Sequence, residues 1–389
     1  MRNVYLDHAA TTPLHPKVLE AMEPYWREEF GNPLSLHRYG EGPKKALQTA
    51  REQVAALIGA RDNEIYFTAS GSEANNMAVK GVALMARTKN KGNHIVISAI
   101  EHQSVLYAAE TMAKIGFEVT QVPVDRYGLV DPKAVADALR DDTVLVAVML
   151  ANGEIGTIEP IAEIAEVVKP RGIPFLADAV DAVGRIPVDV KALGVDMLSL
   201  SGSQFYGPKG GAALYMRRGL RIIPLIDGGI QENGRRAGLE DIPAIVGLGA
   251  AAELAAKEME ERKQHLLPLR DRLSERLTTE IPHVYLTGHP TQRLPHHVSV
   301  TVEYIEGESM LLFLSMQGVA VSSGSTCTSK ALKASHVLTA LGVDAALAQG
   351  SLLLTLGAGN TMEDVDYVLE VLPPIVERLR QMSPIYPGE

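Results

Sequence analysis

The single cysteine of the chain lies in the polar stretch VSSGSTCTSK, where serine, threonine and glycine surround Cys327. A free cysteine is usually a small buried hydrophobic residue, but this composition indicates an accessible thiol on a flexible loop. A deprotonated thiol can act as a nucleophile, carry a persulfide or ligate a metal. The sequence therefore favours a chemical role for Cys327 over a structural one.

Further candidates follow predicted strands, at the point where an open parallel sheet binds its ligands. Gly71 and Ser72 come after EIYFTAS and open a helix whose first N–H groups suit a phosphate, although a simple N-cap role for Ser72 is favoured on this feature alone. Asp178 follows PFLA and is either a turn residue or a carboxylate that pairs with a protonated ring nitrogen. His102 ends another strand, and a lone histidine is more often a structural hydrogen-bonding residue.

A mostly parallel sheet is needed to bring these strand ends together. Seven apolar runs predict its strands, and several lack polar alternation, as expected of strands covered on both faces. The runs span residues 64–70, 94–100, 117–124, 143–151, 174–180, 196–202 and 212–218. Helical patterns such as 72–87 and 160–172 lie between many of them. The alternation predicts an α/β fold with right-handed crossovers.

The length of 389 residues exceeds what one core usually supports, so two domains are expected. A long helical stretch, 243–277, looks like the connection, and the strands HVSVTV, VAVSSG and SLLLTLG follow it. We predict a large domain over 15–255. A small domain, formed by 1–14 with 256–389, carries the Cys327 loop.

Composition excludes several classes of function. The formal charge of −10 provides no basic field to attract nucleic acid or anionic lipid. The opening MRNVYLDHAATTPLHP lacks the apolar core of a signal peptide, and no apolar run reaches membrane-spanning length. One cysteine excludes a disulfide within the chain and a metal site built from several of its cysteines. We expect a cytoplasmic protein without a membrane segment or direct nucleic-acid binding.

Nine motifs, found in order from Val4 almost to the C-terminus, resemble those of the cysteine desulfurases that supply sulfur for iron–sulfur clusters and thiolated cofactors. They are YLDHAATTPLHP, EEFGNPLSLHRYG, FTASGSEANN, EHQSV, NGEIGTIEPIAEI, YGPKGGAALYMRRG, GGIQENGRRAG, EGESMLLFLSMQGVAVSSGSTCTS and SHVLTALG. The resemblance implies fold type I of the pyridoxal-phosphate enzymes: a large domain with a mostly parallel seven-stranded sheet, and a small α+β C-terminal domain. It also implies a homodimer. The SSGSxC pattern resembles the branch with a long cysteine loop.

The resemblance implies a role for each matching residue. In that family the cofactor forms a Schiff base with a lysine and acts as an electron sink, while the loop cysteine takes sulfur as a persulfide. By position, Cys327 is the loop cysteine, Asp178 pairs with the ring nitrogen and His102 stacks on the ring. The phosphate contacts fall on Gly71, Ser72 and Ser201.

Six positions depart from the family pattern. They are Gln204 where the family has the Schiff-base lysine, Ser203 for the preceding histidine, Asp181 for a glutamine at the ring oxygen, Gly153 for an asparagine, Leu239 for a partner-subunit threonine that binds phosphate, and Leu353 for the arginine that binds the substrate carboxylate. An amide cannot form an imine, and leucine removes a charge-assisted pairing. A carboxylate at 181 would repel the ring's phenolate unless one of them is protonated. Asp181 and Ser203 remain among the residues expected at the cofactor.

Three hypotheses follow. In the first, a desulfurase-like protein no longer runs the standard reaction; Cys327 accepts or relays sulfur, or completes an iron–sulfur cluster with a partner's ligands. Its partner is a cluster scaffold protein or another sulfur acceptor. In the second, an active enzyme binds pyridoxal phosphate noncovalently. In the third, an inactive subunit pairs with an active paralogue.

Overall fold

A computed structural model describes residues 2–324 and 334–387, and Cys327 lies outside them. The described strands are β1 (Val4–Tyr5), β2 (Ile65–Thr68), β3 (His94–Ser98), β4 (Glu118–Val122), β5 (Thr143–Ala147), β6 (Phe175–Asp178), β7 (Met197–Ser201), β8 (Ala212–Met216), β9 (Val284–Leu286), β10 (His297–Val302), β11 (Val319–Ala320) and β12 (Ser351–Thr355). The described α-helices are α1 (Pro16–Met22), α2 (Pro24–Arg27), α3 (Glu41–Leu57), α4 (Gly71–Thr88), α5 (Gln103–Ala113), α6 (Pro132–Ala138), α7 (Ile161–Val168), α8 (Val190–Leu193), α9 (Gln231–Gly234), α10 (Ile242–Glu280), α11 (Gly307–Met316), α12 (His336–Ala340), α13 (Ala345–Gln349) and α14 (Met362–Met382).

The main sheet contains seven strands in the order β2-β8-β7-β6-β5-β3-β4. Strands β3 to β7 are parallel to their neighbours in this group, whereas β8 runs antiparallel to both β2 and β7. All seven predicted strands are present, and the predicted α/β fold with a mostly parallel seven-stranded sheet is confirmed.

Helices cover both faces of this sheet, which explains the apolar runs. On one face, α3, α7 and α10 pack over a core that includes Val54, Ile164 and Leu248. On the other face, α4 and α5 pack over a core that includes Met77 and Ala108. A strand between two such layers has no solvent-facing side, so its sequence need not alternate.

A second core lies around a smaller antiparallel sheet of order β12-β10-β9. The C-terminal half of α10 packs there with α11 and α14. Strand β1 pairs in parallel with β11, so the start of the chain joins this second group of elements. The division into 15–255 and 1–14 with 256–389 stays a prediction.

The 39-residue helix α10 belongs to both cores. Its first half contributes Ile245 and Leu248 to the core under the main sheet. Its second half contributes Leu269, Leu273 and Leu277 to the second core. One continuous helix therefore connects the two sheets.

Candidate active site

Asp178 is buried at the carboxyl end of β6 and is held by three donors. Ser199 Oγ and the backbone N–H of Val180 donate to Oδ1 over 3.0 and 3.1 Å, and Asn75 Nδ2 donates to Oδ2 over 2.6 Å. A carboxylate has about four lone-pair positions, so Oδ2 keeps one for a further donor. The arrangement suits a protonated ring nitrogen.

A short hydrogen-bond chain connects this carboxylate with His102. Asn75 Nδ2 also donates to Ser104 Oγ over 2.9 Å, and Ser104 Oγ lies 2.7 Å from His102 Nδ1. The backbone N–H of Ser104 donates to the same Nδ1 over 3.1 Å, which makes His102 the N-cap of α5. Because Nδ1 accepts, the neutral ring has its proton on Nε2. The structure therefore brings Asp178 and His102 into one network.

The start of α4 differs from one sequence interpretation. The N-cap is Ser70, whose Oγ accepts from the N–H of Glu73 over 3.1 Å, so the interpretation of Ser72 as the N-cap is wrong. Ser72 is exposed, next to helix N–H groups that have no intrahelical partner. A Cβ at Gly71 would lie 2.5 Å from Val180 Cγ2, so a glycine is needed for the helix to pack this closely against Val180.

Two hydroxyl groups follow the neighbouring strand β7. Ser201 Oγ and Ser203 Oγ lie 3.1 Å apart, and either can donate to the other. Ser201 is buried at the end of β7 and Ser203 is half-buried in the turn that follows. Both have an oxygen that can meet an anion at the same edge of the sheet as Asp178.

Gln204 is buried, and both polar atoms of its side-chain amide are hydrogen-bonded within the protein. Its Oε1 accepts from Arg185 Nη2 over 2.7 Å, and its Nε2 donates to the carbonyl of Ala9 over 3.0 Å. Arg185 Nε also donates to the backbone carbonyl of Gln204 over 3.2 Å. The residue at this position therefore binds the N-terminal segment and a buried arginine.

Two of the six divergent positions, 181 and 204, meet through Arg185, and a third, Gly153, lies against Asp181. Asp181 Oδ1 lies 3.7 Å from Arg185 Nη1, and Arg185 bonds to Gln204 as described. A Cβ at Gly153 would lie 2.5 Å from Asp181 Oδ2, closer than real Cβ contacts. Burial raises the pKa of Asp181, Arg185 opposes that rise, and the charge of Asp178 adds to it. Positions 153, 181 and 204 therefore form one contiguous set.

Two other divergent positions lie apart from this set. Leu353 is buried in β12, and its backbone pairs with Ser322, the Leu353 N–H donating over 2.8 Å. Leu239 is 62% exposed, a few residues after Arg236, whose Nε donates to Glu73 over 2.8 Å. Leu239 is thus an apolar side chain on a loop fixed to the start of α4.

The whole chain is similar to known proteins. Residues 4–368 match the family model described as Aminotransferase class-V. A protein named cysteine desulfurase IscS from Methanosarcina thermophila is 54% identical over 99% of this chain and 95% of its own length. The chain belongs to the cysteine desulfurase family. Another protein of that name, from Dictyoglomus turgidum, is 51% identical over 98% of this chain and 97% of its own length.

A solved structure of a NifS-like protein agrees with this membership. It superposes with a TM-score of 0.91 at 36% identity and covers 97% of this chain and all of its own. The fold type I architecture that the sequence motifs implied is therefore confirmed for this member of the family.

Sequence reasoning missed Asn75, Ser104 and Arg185. Asn75 carried a signal, because it lies three residues after Ser72 and thus on a neighbouring helix position, in a stretch already singled out. Arg185 carried only a weak signal, its position four residues after Asp181, because its hydrogen-bond partners Gln204, His8 and His296 come from distant parts of the chain. Within 2–324 and 334–387, no group of three or more histidine, cysteine or acidic residues could hold a metal ion. No helix in those ranges is long and apolar enough to cross a membrane. The predicted metal-ligand role of Cys327 lies outside the described residues.

Proposed function

We propose that this member of the cysteine desulfurase family is a sulfur-transfer protein of iron–sulfur cluster assembly in which the standard desulfuration of L-cysteine is lost or strongly impaired. The observation that carries the proposal is the environment of Gln204. Its amide cannot form an imine, and its two polar atoms are bound to Arg185 and to the carbonyl of Ala9. Position 204 therefore supports structure rather than covalent chemistry.

The residues that would hold pyridoxal phosphate fit the group in part. Asp178 offers a free lone pair for the ring nitrogen, His102 an exposed ring for stacking, and Ser72, Ser201 and Ser203 hydroxyl groups for the phosphate. When bound, the cofactor would act as an electron sink. Gln204 can neither anchor it covalently nor move a proton, so noncovalent binding is the most these residues support.

The binding of the substrate carboxylate is also weakened in this proposal. Leu353, at the position of the family arginine, offers a buried apolar side chain and no donor. Arg185 is a cation in the network, but its donors already reach Gln204, the carbonyl of His8 and His296. A buried carboxylate without a charged partner is unfavourable.

Cys327 is the proposed carrier of sulfur, as a persulfide or as a ligand to a cluster shared with a partner. We further propose a cytoplasmic homodimer that docks a cluster scaffold protein or another sulfur acceptor. The similarity of almost the whole chain to a protein named cysteine desulfurase IscS supports this part of the proposal.

The first experiment measures sulfide and alanine release from L-cysteine, with added pyridoxal phosphate and a reductant. We expect neither product from the folded protein. The matched variant Gln204→Lys with Leu353→Arg should gain measurable release if loss of these groups is the cause. Turnover by the unmodified protein would contradict the proposal.

The second experiment tests Cys327 directly. The protein is incubated with an active cysteine desulfurase and L-cysteine, and its mass is then measured. We expect an added sulfur atom on the unmodified chain and none on Cys327→Ser. Full sulfur or cluster transfer by Cys327→Ala would contradict the role of this thiol.

The orientation of Asp178 favours a second candidate, an active enzyme with noncovalent pyridoxal phosphate. Titration of the cofactor, followed by its absorbance, should then show saturable binding that Asp178→Asn weakens. Binding together with turnover by the Gln204 protein would select this candidate. Failure to bind the cofactor would exclude it.

A further inference from the structure

The turn that follows β5 holds the backbone of Glu154 in place. Asn152 Oδ1 accepts from the N–H groups of Glu154 and Ile155 over 2.8 and 3.0 Å. Asn152 Nδ2 donates to the carbonyl of Ile100 over 3.0 Å, so the turn is also tied to the chain that follows β3. An asparagine that bonds to the backbone two residues further on stabilises a tight turn. Glu154 is therefore fixed relative to the main sheet.

The Glu154 carboxyl lies against Gly324, the last described residue before 325–333. A Cβ built at Gly324 would overlap Glu154 Oε1 and lie 2.5 Å from Glu154 Cδ, so a glycine is needed for this close approach. Gly324 is itself held, because its N–H donates to Ser351 Oγ over 3.2 Å. Glu154 Oε1 is buried and has no hydrogen-bond partner among the described residues. This oxygen therefore faces the chain that leads to Cys327.

The same carboxyl meets Ser335, close to the point where the described chain resumes. Ser335 is the N-cap of α12, and its Oγ accepts from the N–H groups of Val337 and Leu338 over 3.1 and 3.3 Å. A hydroxyl oxygen has two acceptor positions and one proton, so the Ser335 O–H is left for another acceptor. It bonds to the Glu154 carboxyl and lowers its pKa, which burial raises to about 7.

The start of α12 also connects this end of the segment to the candidate site. His336 Nε2 donates to the carbonyl of Glu101 over 3.0 Å. Glu101 directly precedes His102, the residue expected to stack on the cofactor ring. The chain that follows Cys327 is therefore fixed close to His102.

We propose that Glu154 is a positioning residue for Cys327, because its one carboxyl contacts the described chain on both sides of the segment 325–333. The inference rests on the proposed function, in which Cys327 carries sulfur. A segment with both ends fixed samples fewer directions than a free one, and a misplacement of about 1 Å can cost a reacting group about 10²-fold in rate. Glu154 places the thiol, and the chemistry stays with Cys327.

The single cysteine allows a direct test, since every alkylated molecule reports on Cys327. The protein is treated with iodoacetamide well below its unfolding temperature, and the alkylated fraction is followed by mass. Glu154→Ala releases both ends, so alkylation should become about two- to tenfold faster, as expected for the loss of one hydrogen bond. Glu154→Gln keeps the side-chain volume and an acceptor for Ser335, so it should react at the rate of the unmodified chain.

Glu159→Ala is the matched control. Glu159 is a buried glutamate of the same connection between β5 and α7, and one of its oxygens also has no partner among the described residues. Its other oxygen accepts from the N–H of Val130 over 2.8 Å. Glu159→Ala should lower the free energy of unfolding but leave the alkylation rate unchanged. An equal rise in both alanine variants, or no rise in Glu154→Ala, would overturn the proposal.

A second variant covers the case in which Glu154→Ala does not fold. Gly324→Ala displaces the same carboxyl from the other side, because its Cβ would overlap Glu154 Oε1. It should also speed the alkylation of Cys327. An unchanged rate in Gly324→Ala would then overturn the proposal.

Sulfur uptake separates this inference from the proposed function. With an active cysteine desulfurase and L-cysteine supplied, Glu154→Ala should take up sulfur about tenfold more slowly than the unmodified chain, with the same final yield. Equal rates would contradict a positioning role for Glu154. Absence of uptake by the unmodified chain would contradict the proposed function instead, and the alkylation rates would still decide on Glu154.

Discussion

The side-chain oxygen of Gln204 accepts a hydrogen bond from Arg185, which a lysine at the same position could not do. Its Oε1 lies 2.7 Å from Arg185 Nη2, and an ammonium there would face a buried guanidinium. Like charges at this distance repel strongly where water is excluded. Position 204 is therefore adapted to its present neighbours.

We expect Gln204→Lys alone to lower the free energy of unfolding and to restore no sulfide release. Gln204→Met, which removes the same hydrogen bonds without adding charge, should lower it by only about 1–3 kcal/mol. Urea unfolding measures both variants. Equal losses of unfolding free energy in the two variants would show that repulsion by Arg185 does not contribute to the destabilisation.

A second prediction concerns Gly153 and Asp181. Gly153→Ala should destabilise the protein, because its Cβ would lie 2.5 Å from Asp181 Oδ2. The loss should shrink when Asp181 is also changed to alanine, with a coupling of about 0.5–3 kcal/mol in the double-mutant cycle. Gly359→Ala, where a Cβ meets nothing within 4 Å, is the matched control and should have little effect. Additive losses would show that the two positions are independent.

At the scale of elements, apolar runs located the strands because helices bury both faces of the main sheet. The same burial made the strand ends hard to place. The run at 143–151 stays buried throughout, but β5 ends at Ala147, although the N–H groups of Val148 and Leu150 still donate to carbonyls of β6.

Only those site residues whose location follows from the order of the strands could be predicted from the sequence. Asp178 and His102 were found because parallel strands end at one edge. Asn75 and Arg185 were not, because their hydrogen bonds depend on how separate elements pack together.

One buried ion pair joins three elements near the site. Arg51 of α3 donates to both carboxylate oxygens of Glu232, over 2.8 and 2.6 Å, and the N–H of Phe67 in β2 donates to the same carboxylate. The side chain of Glu232 is 1% exposed and that of Arg51 is 12% exposed. The pair thus fixes the loop around α9 against α3 and β2.

We expect Glu232→Ala to lower the free energy of unfolding by about 3–5 kcal/mol, because it leaves a buried guanidinium without its partner. Asp141→Ala breaks the exposed pair with Arg171 and should change it by less than about 1 kcal/mol. Denaturant titration compares them. Similar losses in the two variants would contradict the importance of burial.

At the scale of the whole molecule, buried titratable groups set the pH range of stability. Burial raises the pKa values of Glu101 and Glu159 to about 8, against 4.5 in the unfolded chain. Burial lowers those of His8 and His297 to about 4 and about 3, against 6.5. The folded protein thus holds extra protons on its acids and lacks protons on its histidines.

The signs of these shifts predict a stability plateau. Between pH 4.5 and 6.5 the glutamates and the histidines have opposite effects on the free energy of unfolding: as pH rises, the glutamates lower it and the histidines raise it. Between pH 6.5 and 8 only the glutamates act: the folded state binds more protons, so the free energy of unfolding falls as pH rises. Below pH 4.5 only the histidines act, and stability falls as pH falls through their folded values.

Glu101→Gln should make the fall in the free energy of unfolding between pH 6.5 and 8 shallower. In this range one proton accounts for about 1.4 kcal/mol per pH unit. Glu110→Gln, on the exposed side of α5, should leave the decline unchanged. Thermal unfolding across this range measures it. A decline of equal slope in Glu101→Gln would assign the pH dependence to other groups.

The helix α10 limits how this protein can be taken apart. A fragment that keeps the smaller sheet needs the second half of α10, and if it takes the whole helix it exposes the face that Ile245 and Leu248 bury against the main sheet. A cut in the middle of the helix leaves each core with a helix segment that is no longer joined to the other core. Proteolytic nicking, truncation or exchange of either half with a relative should therefore disturb both sheets together.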